Sequence, residues 1–68
     1  MTIERAKMYR TARSKVETHQ FSAGEFVGIE SAWQSAAGVI WFTINSSERG
    51  GLRICECLAA AQLDDFCL

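Results

Sequence analysis

Three cysteines and a single histidine are the side chains of this sequence with the strongest claim to chemistry. Cys55 and Cys57 are separated by one residue, Cys67 lies near the end, and His19 stands far upstream. Structural zinc takes four nitrogen or sulfur ligands, usually from two tightly spaced pairs. One close pair and two scattered ligands do not meet that requirement, so neither a metal nor any other cofactor is expected. Three cysteines cannot all pair within one chain. Cys55 and Cys57 share one side of an extended backbone, a geometry that does not favour a bond between them. All three are read as reduced thiols packed inward as small hydrophobes. Histidine is the residue type best suited to serve as a general base, but no recognised spacing sets a serine, a cysteine or an acid beside His19. It is read as a solvated strand histidine, and no enzyme activity is expected. Gly24, Gly28, Gly50 and Gly51 fit no phosphate-cradling pattern and are read as turn and bend residues.

The charged residues offer two further candidate sites. Net charge is −1, but it is divided unevenly along the chain. Residues 1–15 carry Arg5, Lys7, Arg10, Arg13 and Lys15 against Glu4, a balance of +4. Residues 16–68 carry seven acids against Arg49 and Arg53, a balance of −5. Glu25, Glu30, Glu48, Glu56, Asp64 and Asp65 are therefore a candidate acidic face for docking on a basic protein groove. The five cations are the alternative, a basic face that with Tyr9, Trp33, Trp41 and Phe42 has the makings of a nucleic-acid surface by phosphate contact and base stacking. The bland reading stands beside both: charges scattered for solubility and aromatics spent on the core.

The elements that must position these residues are organised by Gly38-Val-Ile-Trp-Phe-Thr-Ile-Asn45, the most apolar run of the chain. β-branched and aromatic side chains fit a pleated surface better than a helix. Ile40, Phe42 and Ile44 share one side and Val39, Trp41 and Thr43 the other. Both sides are apolar, so the run is expected to be a central strand covered on both faces. Sixty-eight residues make one domain, residues 1–68, with no room for both a deep cavity and a separate core. Hydrophobic residues at 49% and charged residues at 22% describe a folded globular chain. No apolar run approaches the roughly 20 residues that span a bilayer, and the N-terminus lacks the apolar stretch of a signal peptide. A cytoplasmic protein without a membrane partner is expected, in the host cell's cytoplasm if the gene is phage-borne.

Along the chain, Met1–Ser14 carries two patterns. Thr2 suits a helix cap, and Ile3, Ala6 and Tyr9 form a weak helical stripe. Alternation from Lys7 onward favours a strand over residues 6–13. Val16–Phe21 alternates as a strand, Ser22–Glu25 reads as a turn around Gly24, and Phe26–Trp33 as a strand with a bulge or bend near Gly28. Ser46–Gly51 is a hairpin signal, and Leu52–Leu58 alternates again. Leu63, Phe66 and Cys67 fall at helical spacing, predicting a short closing helical turn. Short connections throughout make the expected fold mainly β, with α+β as the variant: a four- to five-stranded antiparallel meander that curls to hide its edges.

Phe21-Ser-Ala-Gly-Glu-Phe-Val-Gly-Ile29 resembles the hairpin entry of small SH3-like barrels, which implies a small barrel as the form the meander curls toward. As a whole, a compact many-stranded chain with no enzyme motif and an acidic C-terminal majority is similar in style to the anti-CRISPR proteins of phages and mobile elements. That resemblance implies a non-enzymatic inhibitor that binds a Cas effector complex and blocks its DNA recruitment or action, in some members by mimicking DNA with carboxylates. Those proteins share no motif, so it transfers no residue roles. The alternative is a small SH3-like module that binds nucleic acid directly through Arg5, Lys7, Arg10, Arg13 and Lys15. The expected state is a monomer or a weak dimer, the latter through an exposed strand edge.

Overall fold

A computed structural model of the chain describes residues 1–45 and 55–68, residue 55 by its backbone alone. In chain order the elements are helix α1 (Ile3–Ala6) and strands β1 (Thr11–Ser14), β2 (Phe26–Gln34), β3 (Ile40–Asn45), β4 (Cys55–Ala59) and β5 (Leu63–Cys67). A 3-10 turn, Ala60–Gln62, joins β4 to β5. The strands form one antiparallel sheet in the order β4-β3-β2-β1-β5. The expected mainly β meander is therefore what the chain forms. β1 to β4 run as consecutive neighbours, and β5 crosses to the far side of β1. No ladder joins β4 to β5 among the described residues, so the sheet is not closed into a barrel. The hairpin signal of Ser46–Gly51, the start of the last alternating run at Leu52–Ile54, and Glu48 lie outside the described residues.

The mid-chain run is β3, flanked by β2 and β4, as its composition predicts. Its inner side is dry: Ile40, Phe42 and Ile44 are buried with Ala6, Ala12, Phe21, Val27, Ala32, Leu58 and Leu63. Its other side is not covered. Trp41 and Thr43 are half-buried and Val39 is exposed, which corrects the expectation of a strand sealed on both faces. A single sheet of this size has one interior, and Trp41 is shielded by an aromatic neighbour on β2, not by a second layer.

Both readings of residues 1–14 hold in part. Thr2 caps α1, its Oγ1 accepting from the Arg5 N–H at 3.3 Å, and only Ala6 of the helix is buried. The strand begins at Thr11, later than the alternation from residue 6 suggests. Val16–Phe21 is a loop, not a strand. Thr18 Oγ1 accepts from the N–H groups of Gln20 and Phe21 at 3.2 and 3.0 Å, so these donors are used locally instead of in a ladder. Phe21 is buried and pins the loop to the core. The Ser22–Glu25 turn forms as expected, with Gly24 at φ +90°, a conformation side chains disfavour. The closing helical turn lies at residues 60–62, where the Ala59 N–H donates to Gln62 Oε1 at 3.0 Å. Leu63, Phe66 and Cys67, the residues at helical spacing, lie in β5 instead. Their three-residue offset between Leu63 and Phe66 comes from an inserted strand residue, described below.

Ser14 is the one buried polar side chain of the described core. Its Oγ donates to the Val16 carbonyl at 2.7 Å and accepts from the Val16 N–H at 3.3 Å, turning the chain out of β1. Ser14→Ala removes both hydrogen bonds at a buried site and leaves the Val16 N–H and carbonyl without them. A loss of about 1–3 kcal/mol is expected, read as a lower urea midpoint with an unchanged slope.

Candidate functional site: the outward face of the sheet

Two strand irregularities decide what the outer face carries. The first is on β2. Ile29 pairs with Ile44 and Ser31 with Thr43, so Glu30 is an extra residue on that strand. Strict alternation from Val27 and Ile29 puts Trp33 in the core. The inserted residue shifts the period by one, and Ala32 is buried opposite Phe42 while Trp33 faces out opposite Trp41. The two indoles stack across the strand pair with centroids 5.9 Å apart and planes inclined by 16°. Trp33 remains 44% exposed. The connection between the strands is short and internally bonded: Ser35 N–H donates to the Val39 carbonyl at 2.9 Å, Val39 N–H to Ser35 Oγ at 3.2 Å, and Gly38 takes φ +83°. It holds the pair in register. Around the indoles the outer face is uncharged, formed by Ser31, Thr43, Cys57 and Ala59. The bulge anticipated near Gly28 is thus two residues further on.

The second irregularity is on β5. Thr11 pairs with Cys67 and Arg13 with Asp64, which leaves one extra residue on β5. Asp65 lies at φ +48°, the left-handed region that aspartate tolerates better than most side chains. Both aspartates thereby reach Arg13. Its Nε donates to Asp64 Oδ1 at 2.9 Å and its Nη2 to Asp64 Oδ2 at 3.2 Å, and Nη2 lies 3.0 Å from Asp65 Oδ2. The hydrogen bond from Arg13 holds the Asp64 carboxyl below its ordinary value; desolvation opposes this, and the Arg13 and Lys15 charges assist it. The same bond and the two carboxylate charges raise the Arg13 guanidinium. A carboxyl depressed in the folded state stabilises the fold above its unfolded value and loses that contribution as the pH falls through the folded one. The clamp is therefore expected to weaken below about pH 4. Asp64→Asn should flatten the acid limb of a thermal-melting profile relative to wild type, with the difference shrinking in high salt because the groups are 41% and 38% exposed.

The remaining candidate residues are dispersed among different structural roles. Of the acidic set, Asp64 and Asp65 are both engaged by the single Arg13 guanidinium. Glu25 accepts from the Ser22 N–H at 2.9 Å and serves the turn. Glu30 is the exposed bulge residue. Glu56 shares the inner side of β4 with Leu58, and its Oε2 is buried without a hydrogen-bond partner. Of the basic set, Arg5 is held by Tyr9, donating to its hydroxyl at 3.1 Å with the guanidinium carbon 5.8 Å from the ring centre. Lys7 and Arg10 line a shallow hollow with Met8, Tyr9, Ile29 and Glu30, and Lys15 is exposed at the end of β1. Arg13 is occupied by its clamp.

His19 lies in the loop between β1 and β2, where it lines two open hollows with Glu17 and Thr18, one extending to Ser22 and Glu25 and the other to Glu56. Cys57 and Cys67 are free and exposed, which overturns their reading as buried hydrophobes: the β4 and β5 registers put them on the outer face. The Cys55 side chain lies outside the described residues. Among the described residues no three of His, Cys, Asp and Glu gather as a metal-binding group, and no helix is long and apolar enough to cross a membrane. Sequence reasoning grouped Trp33 and Trp41 with Tyr9 and Phe42 as stacking aromatics, and missed that the two indoles stack on each other on the outer face while Phe42 is buried. Their signal was present as two tryptophans eight positions apart around a small-residue connection, but the face of Trp33 depended on the bulge.

Compared with known proteins, the chain matches no family model, no curated sequence and no solved structure.

Proposed function

We propose that this chain is a non-catalytic binding domain that docks on a protein partner through the outward Trp33–Trp41 pair and acts by covering that partner's working surface. The stacked pair supports the reading. Two large aromatic rings are held rigidly on a sheet, in an uncharged surround, with one of them 44% exposed. Tryptophans in such settings dominate protein–protein affinity at low entropic cost. The similarity in style to anti-CRISPR proteins suggests the partner class: a nucleic-acid-handling complex such as a Cas effector, blocked by occlusion. The contact is assigned to the aromatic face and not to a carboxylate mimic of DNA. Three observations argue for that shift: Asp64 and Asp65 are paired to Arg13, Glu25 serves a turn, and Glu56 faces inward.

The experiment is a pull-down from bacterial lysate with the wild-type chain and with Trp33→Ala, at low and high salt. Recovery of a nucleic-acid-processing complex by wild type, insensitive to salt and lost in the variant, supports the reading. Recovery that the variant does not weaken overturns the aromatic contact. Recovery abolished by salt alone returns the contact to the carboxylates.

Direct binding of single-stranded nucleic acid is a second reading, favoured by the uncovered part of the Trp33 indole, since bases stack on such rings. It predicts quenching of tryptophan fluorescence by an oligonucleotide, weakening steeply with salt. No quenching at low salt excludes it.

A further inference from the structure

The two edges of the sheet are built differently. β5 carries the devices that prevent edge-to-edge pairing: an inserted residue, Asp65 in the left-handed region, and two adjacent aspartates. β4, at the opposite edge, has none of these three. Its register with β3 runs unbroken from Trp41–Ala59 to Asn45–Cys55. It contains no proline, lysine or glycine; its single charge, Glu56 on the inner side, is the one edge-protecting device it carries. Among the described residues nothing pairs with its outer edge.

We infer that β4 is a dimerisation edge, and that the occupant is the β4 strand of a second copy of this chain, antiparallel about a two-fold axis at Cys57. The register is decided by charge. With the axis at Cys57, the central residue of the five, Glu56 faces Leu58 of the second copy, and Cys55 faces Ala59. Moving the axis by one position to residue 56 sets two Glu56 carboxylates directly opposite each other, which destabilises a strand pair. Moving it to residue 58 shortens the ladder. The two Cys57 side chains then meet on the outer face with Cβ atoms about 4.5–5.5 Å apart. Such an axis runs through the sheet, so both outer faces point the same way. The two Trp33–Trp41 pairs, on β2 and β3, stay uncovered, and the two β3 strands stand about 14 Å apart, three strand spacings. The dimer does not depend on those indoles having a partner, and where they do have one it becomes bivalent.

The test uses the full chain with Cys55→Ser and Cys67→Ser, so that Cys57 is the one thiol. At about 100 μM, where micromolar contacts are populated, a short bis-maleimide is expected to link most of the protein into a covalent dimer. A companion chain retaining Cys67 alone is expected to stay monomeric under the same treatment. Sedimentation of the wild type should give twice the monomer mass. Cys57→Arg, a change at an exposed position, should return it to monomer by placing like charges opposite each other. A monomeric wild type without cross-linking through Cys57 overturns the inference. A dimer that links through Cys67 and survives Cys57→Arg does so too. If Cys57→Arg fails to fold, the cross-linking pattern decides alone.

Discussion

Phe42→Ala is expected to unfold the protein, or leave it too marginal to purify in folded form at 25 °C. Phe42 has no exposed surface and sits at the centre of the inner face. Its neighbours in the ladders are Ala32 on β2 and Leu58 on β4, and its ring centre lies 5.2 Å from that of Phe66. Removing a buried phenylalanine costs about 3–5 kcal/mol, the upper end where neighbours cannot collapse into the void. Ala32 is too short to fill it, and Phe66 is tied to Tyr9 at 5.0 Å. A domain of this length has a total stability of roughly 3–10 kcal/mol, so one substitution removes much or all of it. Far-UV circular dichroism during urea titration checks this. Phe42→Leu should lose distinctly less, since most of the volume is kept. An alanine variant within 1 kcal/mol of wild type contradicts the placement of the core.

Trp33→Ala is expected to do the reverse: leave the fold in place and weaken partner binding by about 30-fold, or roughly 2 kcal/mol, the threshold of an interface hot spot. The indole is 44% exposed and stands on the outer face, so its loss leaves no internal cavity, and the stability change should stay under about 1 kcal/mol. Trp41→Ala is a useful contrast. Trp41 is half-buried beneath its partner, so it should cost both stability and affinity. The double variant should bind about as weakly as the worse single, because the two rings act as one stacked unit and their effects are coupled. Titration of the partner with each variant, alongside urea melts, separates the two terms. If Trp33→Ala leaves binding intact, the aromatic face is not the contact, while the fold assignment stands.

The two substitutions together show where the proposed function differs from one drawn on charge alone. Carboxylates that look available in the sequence are employed in the structure. Arg13 and Asp64 are 51 positions apart, so no local pattern announces their bond. The candidate cations are likewise dispersed among Tyr9, the clamp and a shallow hollow, with Lys15 exposed at the end of β1. Among the described residues the outer face carries a stacked hydrophobic pair, and β4 presents a strand edge with no ladder partner.

Local composition determined a good part of this protein. The β-branched and aromatic run of β3, the turn at Ser22–Glu25 and the start of β2 at Phe26 are all legible because each rests on contacts within a few residues: side-chain fit to a pleat, or a glycine at positive φ. The loop at Val16–Phe21 was misread as a strand because alternation alone does not reveal that Thr18 takes the next N–H groups for itself. The facing of side chains was decided elsewhere. Strand periodicity is two, so a single inserted residue reverses every side chain beyond it. Glu30 turns Trp33 outward, and the insertion at Asp65 brings two aspartates to one arginine. Whether a strand absorbs such an insertion depends on the register of its neighbours, which is settled only when the sheet assembles.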